Sequence, residues 1–284
     1  MKDLKDKIAV VTGAAQGIGR ETAILLARKG CDLAVCDLDM DGLNETARIV
    51  RGLGRKALVQ RVDTADRAAV YAFAEAVAAG FGKAHILVNN AGVALTSAIR
   101  EMDYEDFEWL MNINFWGMVY GTKAFLPMLE AQDEAHIVNI SSVFGLWAIP
   151  TQSAYNCSKF AIRGFTEALG MELSATNIRV TSVHPGGIRT NIAKNSRFKS
   201  CEAPVADKRE AVEIFDKLAR TSAEQAAAAI VRGIRKNKRR VLIGMDARAM
   251  DVIQRLFPVL YQRIIPALMS LRGGKDAGGA ASRP

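Results

Sequence analysis

The sequence predicts an α/β protein in which a doubly wound, seven-stranded parallel sheet lies between two layers of helices. Short apolar, β-branched runs alternate along the chain with longer stretches of helical periodicity, which is the pattern of repeated βαβ units. Half of the 284 residues are hydrophobic, so the chain can bury a large core. We expect one domain over residues 1–284.

The expected elements alternate regularly. The strands are expected at residues 8–12, 32–37, 56–62, 86–89, 136–141, 179–184 and 241–243. The helices are expected at residues 18–29, 40–52, 65–80, 104–130, 154–175 and 223–234. Seven strands with six intervening helices form a doubly wound sheet.

Two regions interrupt this alternation. Residues from 185 to about 206 lack clear periodicity and follow a strand's carboxyl end, where open α/β sheets bind ligands, so a substrate lid is expected over about 185–220. The apolar stretch 245–271 contains Pro258 and Pro266, and could cover the active site, join subunits or rest on a membrane surface. The last residues, 273–284, read as a disordered tail.

The charge pattern does not favour a nucleic-acid partner. The net charge is +8, and one short stretch near the C-terminus concentrates Arg232, Arg235, Lys236, Lys238, Arg239 and Arg240. No aromatic residues interleave with these cations, as a single-strand binding groove requires, so we interpret them as a solvated helix end. No run of about 18 uncharged apolar residues predicts a membrane-spanning helix.

Cysteine and histidine spacing predicts no metal site. The four cysteines and three histidines form neither a CxxC pair nor an HxxxH motif. We interpret the cysteines as buried, reduced thiols. The charged N-terminus, MKDLKDK, runs directly into an apolar strand without a signal-peptide hydrophobic region, so a cytoplasmic location is expected.

A glycine-rich turn, TGAAQGIG at residues 12–19, joins the first strand to the first helix. This is where a dinucleotide-binding fold places the pyrophosphate over a helix N-terminus. Gly13, Gly17 and Gly19 can provide a tight turn, close backbone approach to phosphate, and close packing of helix on strand. Glycines also end strands for purely structural reasons.

The second strand ends at Asp37, where a carboxylate can accept hydrogen bonds from the adenosine ribose hydroxyls and repel a 2′-phosphate. Neither Gln16 nor Leu38 offers a basic side chain for that phosphate, although Arg20 is near in sequence. We predict NAD over NADP. Asp63, after the third strand, could contact the adenine edge or cap the following helix.

Three side chains indicate acid/base chemistry. Tyr155 and Lys159 are four residues apart on a predicted helix and therefore share one face. A neighbouring ammonium favours a tyrosine phenolate by direct charge interaction. Ser142 follows the fifth strand and could hydrogen-bond a substrate oxygen. Each alone is more often structural.

Taken in order, these motifs resemble the short-chain dehydrogenase/reductase family over roughly the first 190 residues. The resemblance rests on TGAAQGIG at 12–19, NNAG at 89–92, Asn114, Ser142, YNCSK at 155–159 and PGGIRT at 185–190. It implies a Rossmann fold with Tyr155 as general acid/base, Lys159 lowering the Tyr155 pKa and binding the nicotinamide ribose, and Ser142 polarising the substrate carbonyl. Asn114 would complete a proton relay through a water at a helix irregularity.

The resemblance also implies the cofactor contacts. They are Gly13, Gln16, Gly17, Ile18, Gly19, Asp37, Asp63, Asn90, Gly92, Tyr155, Lys159, Pro185, Gly186, Ile188 and Thr190. Pro185 and Gly186 would flank the nicotinamide, and Thr190 would reach its carboxamide. NNAG and PG also serve as strand-ending turns.

The expected substrate is a hydrophobic secondary alcohol or ketone, contacted by Ser142, Phe144 and Tyr155. An apolar run follows Ser142 over residues 143–149, although these residues could equally belong to the core or a subunit interface. Family members commonly form dimers or tetramers through the helices predicted at 104–130 and 154–175. The alternative function is a non-catalytic NAD-sensing regulator on the same fold.

Overall fold

The computed structural model describes residues 1–199 and 207–264. At its centre is a sheet of seven strands: β1 (Ile8–Thr12), β2 (Asp32–Asp37), β3 (Ala57–Arg61), β4 (Ile86–Asn89), β5 (Ala135–Ile140), β6 (Ile178–Pro185) and β7 (Arg240–Ile243). All neighbours pair in parallel, in the order β7-β6-β5-β4-β1-β2-β3. The predicted doubly wound parallel sheet is confirmed, and every strand lies within one residue of its predicted bounds.

Helices connect the strands. They are α1 (Gly17–Arg28), α2 (Met40–Gly52), α3 (Arg67–Phe81), α4 (Tyr104–Met111), α5 (Gly117–Glu130), α6 (Ser153–Glu172), α7 (Lys208–Leu218), α8 (Ala223–Arg235) and α9 (Met245–Leu256). A π-helical turn, Asn112–Trp116, joins α4 to α5, and a 3₁₀ turn, Val143–Gly145, follows β5. Two-residue strands pair outside the main sheet: Leu95–Thr96 with Arg197–Phe198, and Ile188–Arg189 with Thr221–Ser222.

The two sheet faces bury separate cores, which gives the predicted three layers. On one face, α1, α2 and α8 pack over the sheet with side chains such as Leu26, Leu43 and Ile230. On the other face, α3, α5 and α6 contribute an apolar cluster in which Phe73 and Phe125 meet edge to face at 5.8 Å. Because helices cover both faces, the central strands are nearly continuous apolar runs.

Several helices start at side chains that accept hydrogen bonds from their first amides. Asp39 accepts from the Gly42 amide at the start of α2, and Asp66 accepts from two amides at the start of α3. A capping box between Ser222 and Gln225 begins α8. These caps satisfy backbone donors that have no partner within the helix.

The structure corrects several helix predictions. The helix predicted over 104–130 is interrupted by the π turn, and the one predicted to reach residue 175 ends at Glu172. Helix α7 lies inside the region predicted as an irregular lid, and α9 lies inside the proline-interrupted stretch. Helix α7 buries none of its side chains fully, but Val212, Phe215 and Leu218 recur at helical spacing, so this helix was open to prediction from the sequence.

Other predictions fall partly outside the described residues. The tail predicted at 273–284, the end of the stretch 245–271 and Cys201 lie beyond them. Cys31 and Cys36 are buried as predicted, but Cys157 is exposed, because the Tyr155 face of α6 turns inward and Cys157 lies on the opposite side.

Neither a helix suited to crossing a membrane nor a metal-binding cluster occurs in the described residues. No helix there is both long and apolar enough to cross a membrane. No group of three or more histidine, cysteine, aspartate or glutamate side chains in those residues is arranged to hold a metal ion.

Candidate active site

The glycine turn between β1 and α1 is a conformation that only glycine accommodates easily. Gly13 and Gly17 have φ of +65° and +57°, in the left-handed region. At Gly19 an added Cβ would overlap the carbonyl oxygen of Gly13 and the side-chain amide of Asn90. The Asn90 amide donates to the carbonyl oxygens of Thr12 and Gly13, each at 2.9 Å, and so ties the end of β4 to the turn.

The start of α1 differs from the starts of α2 and α3. Gln16 is the N-cap of α1 but makes no side-chain capping bond, and the first turn contains no acidic residue. Instead, the Gln16 side chain accepts a hydrogen bond from Asn191 at 2.9 Å. The first amides of α1 therefore have no side-chain acceptor, which suits an anionic group.

Asp37 lies half-buried at the end of β2 and faces this turn. One carboxylate oxygen accepts from the Ala15 amide at 2.9 Å, and the other accepts from the Asp39 amide at 3.1 Å. Arg20 is turned away towards α2, where its guanidinium donates to Thr46 Oγ1 and to the Gly42 carbonyl oxygen. The Asp37 carboxylate therefore borders the glycine turn. The Arg20 guanidinium is bonded to α2 and not to this carboxylate.

Asp63 contributes to its own loop. It is exposed, and its carboxylate accepts from the Ala65 amide at 2.9 Å. The cap of α3 is Asp66 rather than Asp63. Of the two alternatives for Asp63, capping of the following helix is therefore wrong, because α3 starts at Arg67, two residues later than predicted.

Ser142, Tyr155 and Lys159 lie together at the carboxyl end of β5 and the start of α6. All three are buried, and the Ser142 hydroxyl, which accepts from the Phe144 amide at 3.1 Å, lies close enough to the Tyr155 hydroxyl to influence its pKa. Lys159 Nζ lies 5.5 Å from the centre of the Tyr155 ring and donates to the carbonyl oxygen of Ile140 at 3.1 Å. The predicted trio is therefore close in space.

Burial sets the ionisation of this pair. It raises the pKa of Tyr155 to about 12, against the Ser142 hydroxyl, which acts to lower it. Burial also lowers the pKa of Lys159 to about 8. The net lowering of the Tyr155 pKa expected from Lys159 is therefore not found in this structure, because desolvation of the phenolate outweighs its neighbours.

Asn114 lies in the π turn and is almost fully buried. Its side-chain oxygen accepts from the Val93 backbone amide at 2.8 Å. Its side-chain nitrogen donates to the Val93 carbonyl oxygen at 3.0 Å and to Ser158 Oγ at 3.1 Å. Ser158 in turn donates to the Tyr155 carbonyl oxygen at 2.8 Å. Gly92 lies between Asn114 and Lys159, where an added Cβ would be 3.5 Å from Lys159 Nζ.

The turn after β6 returns to the glycine turn. A Cβ on Gly17 would lie 3.2 Å from Thr190 Cγ2, so Thr190 is next to the start of α1. Pro185 ends β6, and the following Gly186 packs against Asp246 of α9, whose carboxylate also accepts from the Gly187 amide at 2.6 Å. Of the remaining predicted contacts, Ile188 is buried in the apolar core, and Ile18 is partly buried against the same core.

Phe144 lies beside the trio. Its ring meets the Tyr155 ring edge-on at 6.2 Å. Asn156, directly after Tyr155, donates to the carbonyl oxygens of Phe144 and Trp147 at 2.8 and 2.9 Å. Asn156 therefore holds the segment after Ser142 in place.

The comparison with known families identifies the family of the chain. The family model described as short chain dehydrogenase matches residues 7–200. The chain belongs to the short-chain dehydrogenase/reductase family. It is accordingly an NAD(P)-dependent oxidoreductase with a Rossmann fold.

Relatives of this short-chain dehydrogenase/reductase align with most of its length. SadH of Mycobacterium tuberculosis, named as an oxidoreductase, is 46% identical over 270 residues, which cover 94% of this chain and 96% of SadH. A short-chain dehydrogenase/reductase from Burkholderia phymatum, solved with NAD, is 29% identical with a TM-score of 0.83 and covers 92% of this chain and 97% of its own. A short chain dehydrogenase from Mycobacterium paratuberculosis, bound to NAD, is 28% identical with a TM-score of 0.73 and covers 85% and 97% of the two chains.

The residues present fit the nicotinamide cofactor of the family. The glycine turn excludes side chains where a dinucleotide backbone must approach, and the uncapped start of α1 suits a pyrophosphate. The site also lies where strand order reverses, between β1 and β4, which is the usual ligand position in doubly wound sheets.

One residue that the sequence reasoning missed supports Ser142 in this dehydrogenase. His184, fully buried in β6, has Nδ1 3.0 Å from the Ser142 carbonyl oxygen and Nε2 2.9 Å from Ser182 Oγ. Because a carbonyl oxygen only accepts, Nδ1 carries the proton and Nε2 accepts from the Ser182 hydroxyl. The available signal in the sequence was a histidine at the carboxyl end of a predicted strand, directly before Pro185.

Proposed function

We propose that this chain is an NAD-dependent dehydrogenase/reductase that interconverts a hydrophobic secondary alcohol and the corresponding ketone. The observation that carries the proposal is the buried grouping of Ser142, Tyr155 and Lys159 at the carboxyl edge of the sheet. Two hydroxyl groups converge there beside an amine, as reduction of a carbonyl to an alcohol requires.

In this proposal Tyr155 transfers the proton. In the reductive direction, its hydroxyl donates a proton to the developing alkoxide, and in the oxidative direction the phenolate removes a proton from the alcohol. The Tyr155 pKa of about 12 keeps the hydroxyl protonated near neutral pH, which supports proton donation. Oxidation needs the phenolate, and a protonated Lys159 amine would stabilise it by charge.

Ser142 and Asn114 complete the proposed machinery. Ser142 donates to the substrate oxygen and stabilises the charge that develops on it. Asn114 is a positioning residue, because its contacts with Val93 and Ser158 hold the π turn against the Tyr155 end of α6. The nicotinamide, when bound, supplies or accepts the hydride.

A preference for NAD is supported by Asp37. Its carboxylate is fixed by the Ala15 and Asp39 amides at the end of β2, and a 2′-phosphate there would meet a fixed negative charge. Arg20 could relieve that repulsion only by giving up its bonds to Thr46 and Gly42.

A hydrophobic substrate is supported by the segment after Ser142. The Phe144 ring meets the Tyr155 ring edge-on, and the apolar run continues through Leu146 and Trp147. A cavity of about 360 Å³ by the start of α6 is lined by Ala98, Ile99, Ile149, Pro150, Thr151 and Ser153, and neither Ser142 nor Tyr155 lines it. The apolar ring beside Tyr155 favours an apolar substrate body over a charged one.

A homo-oligomer is part of the proposal. Trp116, next to α5, and Phe160 on α6 are exposed aromatic residues on the two long helices through which the family commonly assembles. Exposed aromatic side chains are typical of subunit interfaces. Sedimentation velocity should give a dimer or tetramer, and a monomer would contradict this part.

The proposal is tested with a panel of secondary alcohols and ketones, including aliphatic, aromatic, sterol and retinoid members, each assayed with NAD and NADP. Formation or loss of the reduced cofactor is followed by absorbance. We expect turnover with apolar members and NAD. Turnover confined to charged substrates, or a preference for NADP, would contradict it.

A further inference from the structure

The segment 245–264, which begins with α9, carries an unusual share of exposed apolar surface. Among the described residues, 17 large apolar side chains are exposed, and eight of them lie within these 20 residues. They are Met245, Val252, Ile253, Leu256, Phe257, Val259, Leu260 and Ile264. Scattered exposed apolar residues are normal, but a concentration of this kind marks an interaction site.

The exposed residues of α9 form a stripe. Met245, Ala249, Val252 and Leu256 are exposed at a spacing of four, three and four residues, which places them along one side of the helix. The opposite side contains Ala247 and Asp251, which are buried. Helix α9 therefore packs on the protein through one side and presents apolar side chains to solvent on the other.

The acidic and basic side chains of the segment also lie on different sides. Asp246 turns inward to the Gly187 amide, and Asp251 is buried between Arg240 at 2.6 Å and Arg255 at 3.2 Å. The segment contains no other acidic residue. Its exposed charged residues are Arg248, Arg263 and Arg255, of which Arg255 is already paired with Asp251. The outer surface thus combines apolar side chains with cations.

The segment is anchored next to the active site. Tyr261 is buried and stacks on Trp147 with ring centres 4.2 Å apart, and its hydroxyl accepts from the Ala148 amide at 3.5 Å. Trp147 follows the 3₁₀ turn that starts at Ser142. A ligand on the outer surface of residues 245–264 therefore lies beside the loop that follows Ser142.

We propose that residues 245–264 form a docking surface for an anionic lipid bilayer. Apolar side chains flanked by arginines are the composition of interfacial segments, whose apolar groups enter the headgroup region while the cations meet anionic lipids. A second copy of the chain fits less well, because a two-fold interface pairs the same patch with itself and brings like charges together. The contact is at the surface, since no described helix is suited to crossing a membrane.

This docking goes beyond the proposed reaction and does not depend on it. If the proposed apolar substrate is correct, docking places the loop after Ser142 at the bilayer, where such a substrate is concentrated. Failure of the substrate panel would leave vesicle binding unaffected, so the two proposals can be tested separately.

The test is co-sedimentation of the full chain with phosphatidylcholine vesicles, with and without phosphatidylglycerol. We expect binding to the anionic vesicles, weak binding to the zwitterionic ones, and release by salt. Leu256→Glu should abolish binding, and Arg263→Gln should weaken it about fivefold, as expected for one cation at an anionic surface. Met171→Glu is the matched control, because Met171 is 63% exposed on α6 and Leu256 is 66% exposed on α9.

The outcomes are distinct. Binding that is lost in Leu256→Glu and retained in Met171→Glu, with unchanged thermal unfolding, supports the proposal. No binding by the wild-type chain overturns it, as does equal loss in both variants. A wild-type oligomer that Leu256→Glu dissociates, in the absence of vesicle binding, would instead identify the segment as a subunit interface.

Discussion

Acidification should destabilise this protein through two buried histidines. His136 on β5 and His184 on β6 are both fully buried, and burial lowers their pKa values to about 3 and about 4. Both are neutral in the fold. His136 Nε2 lies 2.7 Å from Thr181 Oγ1, and His184 bridges Ser142 and Ser182. Near His136 the N-terminal amine and Arg179 also oppose protonation. Near His184, Glu167 favours protonation, but burial together with Arg240 and Arg163 outweighs it.

The magnitude follows from the difference between folded and unfolded pKa values. In the unfolded chain a histidine has a pKa of about 6.5, so it binds a proton as the pH falls through that value, whereas the folded chain does not. Each histidine then removes about 1.4 kcal/mol of unfolding free energy per pH unit. From pH 7.5 to about pH 4.5, His136 and His184 together remove about 5 kcal/mol, comparable with the whole stability of a typical domain.

The assay is urea denaturation at a series of pH values, with the wild type compared to a His136→Asn, His184→Asn double variant. The wild type should lose stability steeply below about pH 6.5, and the double variant should lose about 5 kcal/mol less over the same range. His85, whose pKa burial also lowers to about 4, remains in both proteins and cancels in the comparison. Parallel pH profiles for the two proteins would refute the reasoning.

Three further substitutions test the cofactor site and the core. Gly19→Ala should weaken NADH binding about tenfold or more by fluorescence titration, because its methyl group would overlap the Gly13 carbonyl oxygen, whereas Gly164→Ala, with open space around it, should not. Asp37→Ser should shift the ratio of NADP to NAD affinity about tenfold towards NADP, and an unchanged ratio would contradict the role of Asp37. Phe125→Ala should cost about 3–5 kcal/mol in urea denaturation, because the Phe125 side chain is fully buried.

The sheet could be predicted from the sequence because its strands are buried on both faces. Runs such as Ile8–Thr12 and Ile86–Asn89 are apolar except for their last residue and are bounded by polar or glycine residues, so their limits are clear in the sequence. Helix α7 was missed although Val212, Phe215 and Leu218 recur at helical spacing, because the region after β6 was interpreted as an irregular lid. The apolar stripe of α9 points outward, which sequence periodicity alone does not distinguish from an inward one.

The site was predictable to the extent that it depends on local spacing. Tyr155 and Lys159 share a helix face, so four-residue spacing was sufficient to place them together. The role of His184 was not predictable, because its partner Ser142 is 42 residues away and the contact depends on the pairing of β5 with β6. The upward shift of the Tyr155 pKa was also missed, since burial of the phenol is a tertiary property.

The π turn illustrates the same limit. Residues Asn112–Trp116 continue the helical pattern of their neighbours, and only the family resemblance, through Asn114, implied a helix irregularity there. The buried Asn114 amide, held by the backbone of Val93, is a tertiary contact that accompanies it. Polar side chains bonded to a distant backbone group commonly mark such irregularities.

The proposed acid/base role of Tyr155 is tested most directly by Tyr155→Phe, which removes one hydroxyl group from a buried ring. The protein should fold, bind NADH as tightly as the wild type by fluorescence titration, and lose turnover by about two to four orders of magnitude. Retained binding with lost turnover would assign the hydroxyl to proton transfer. Near-normal turnover of the variant would contradict the account.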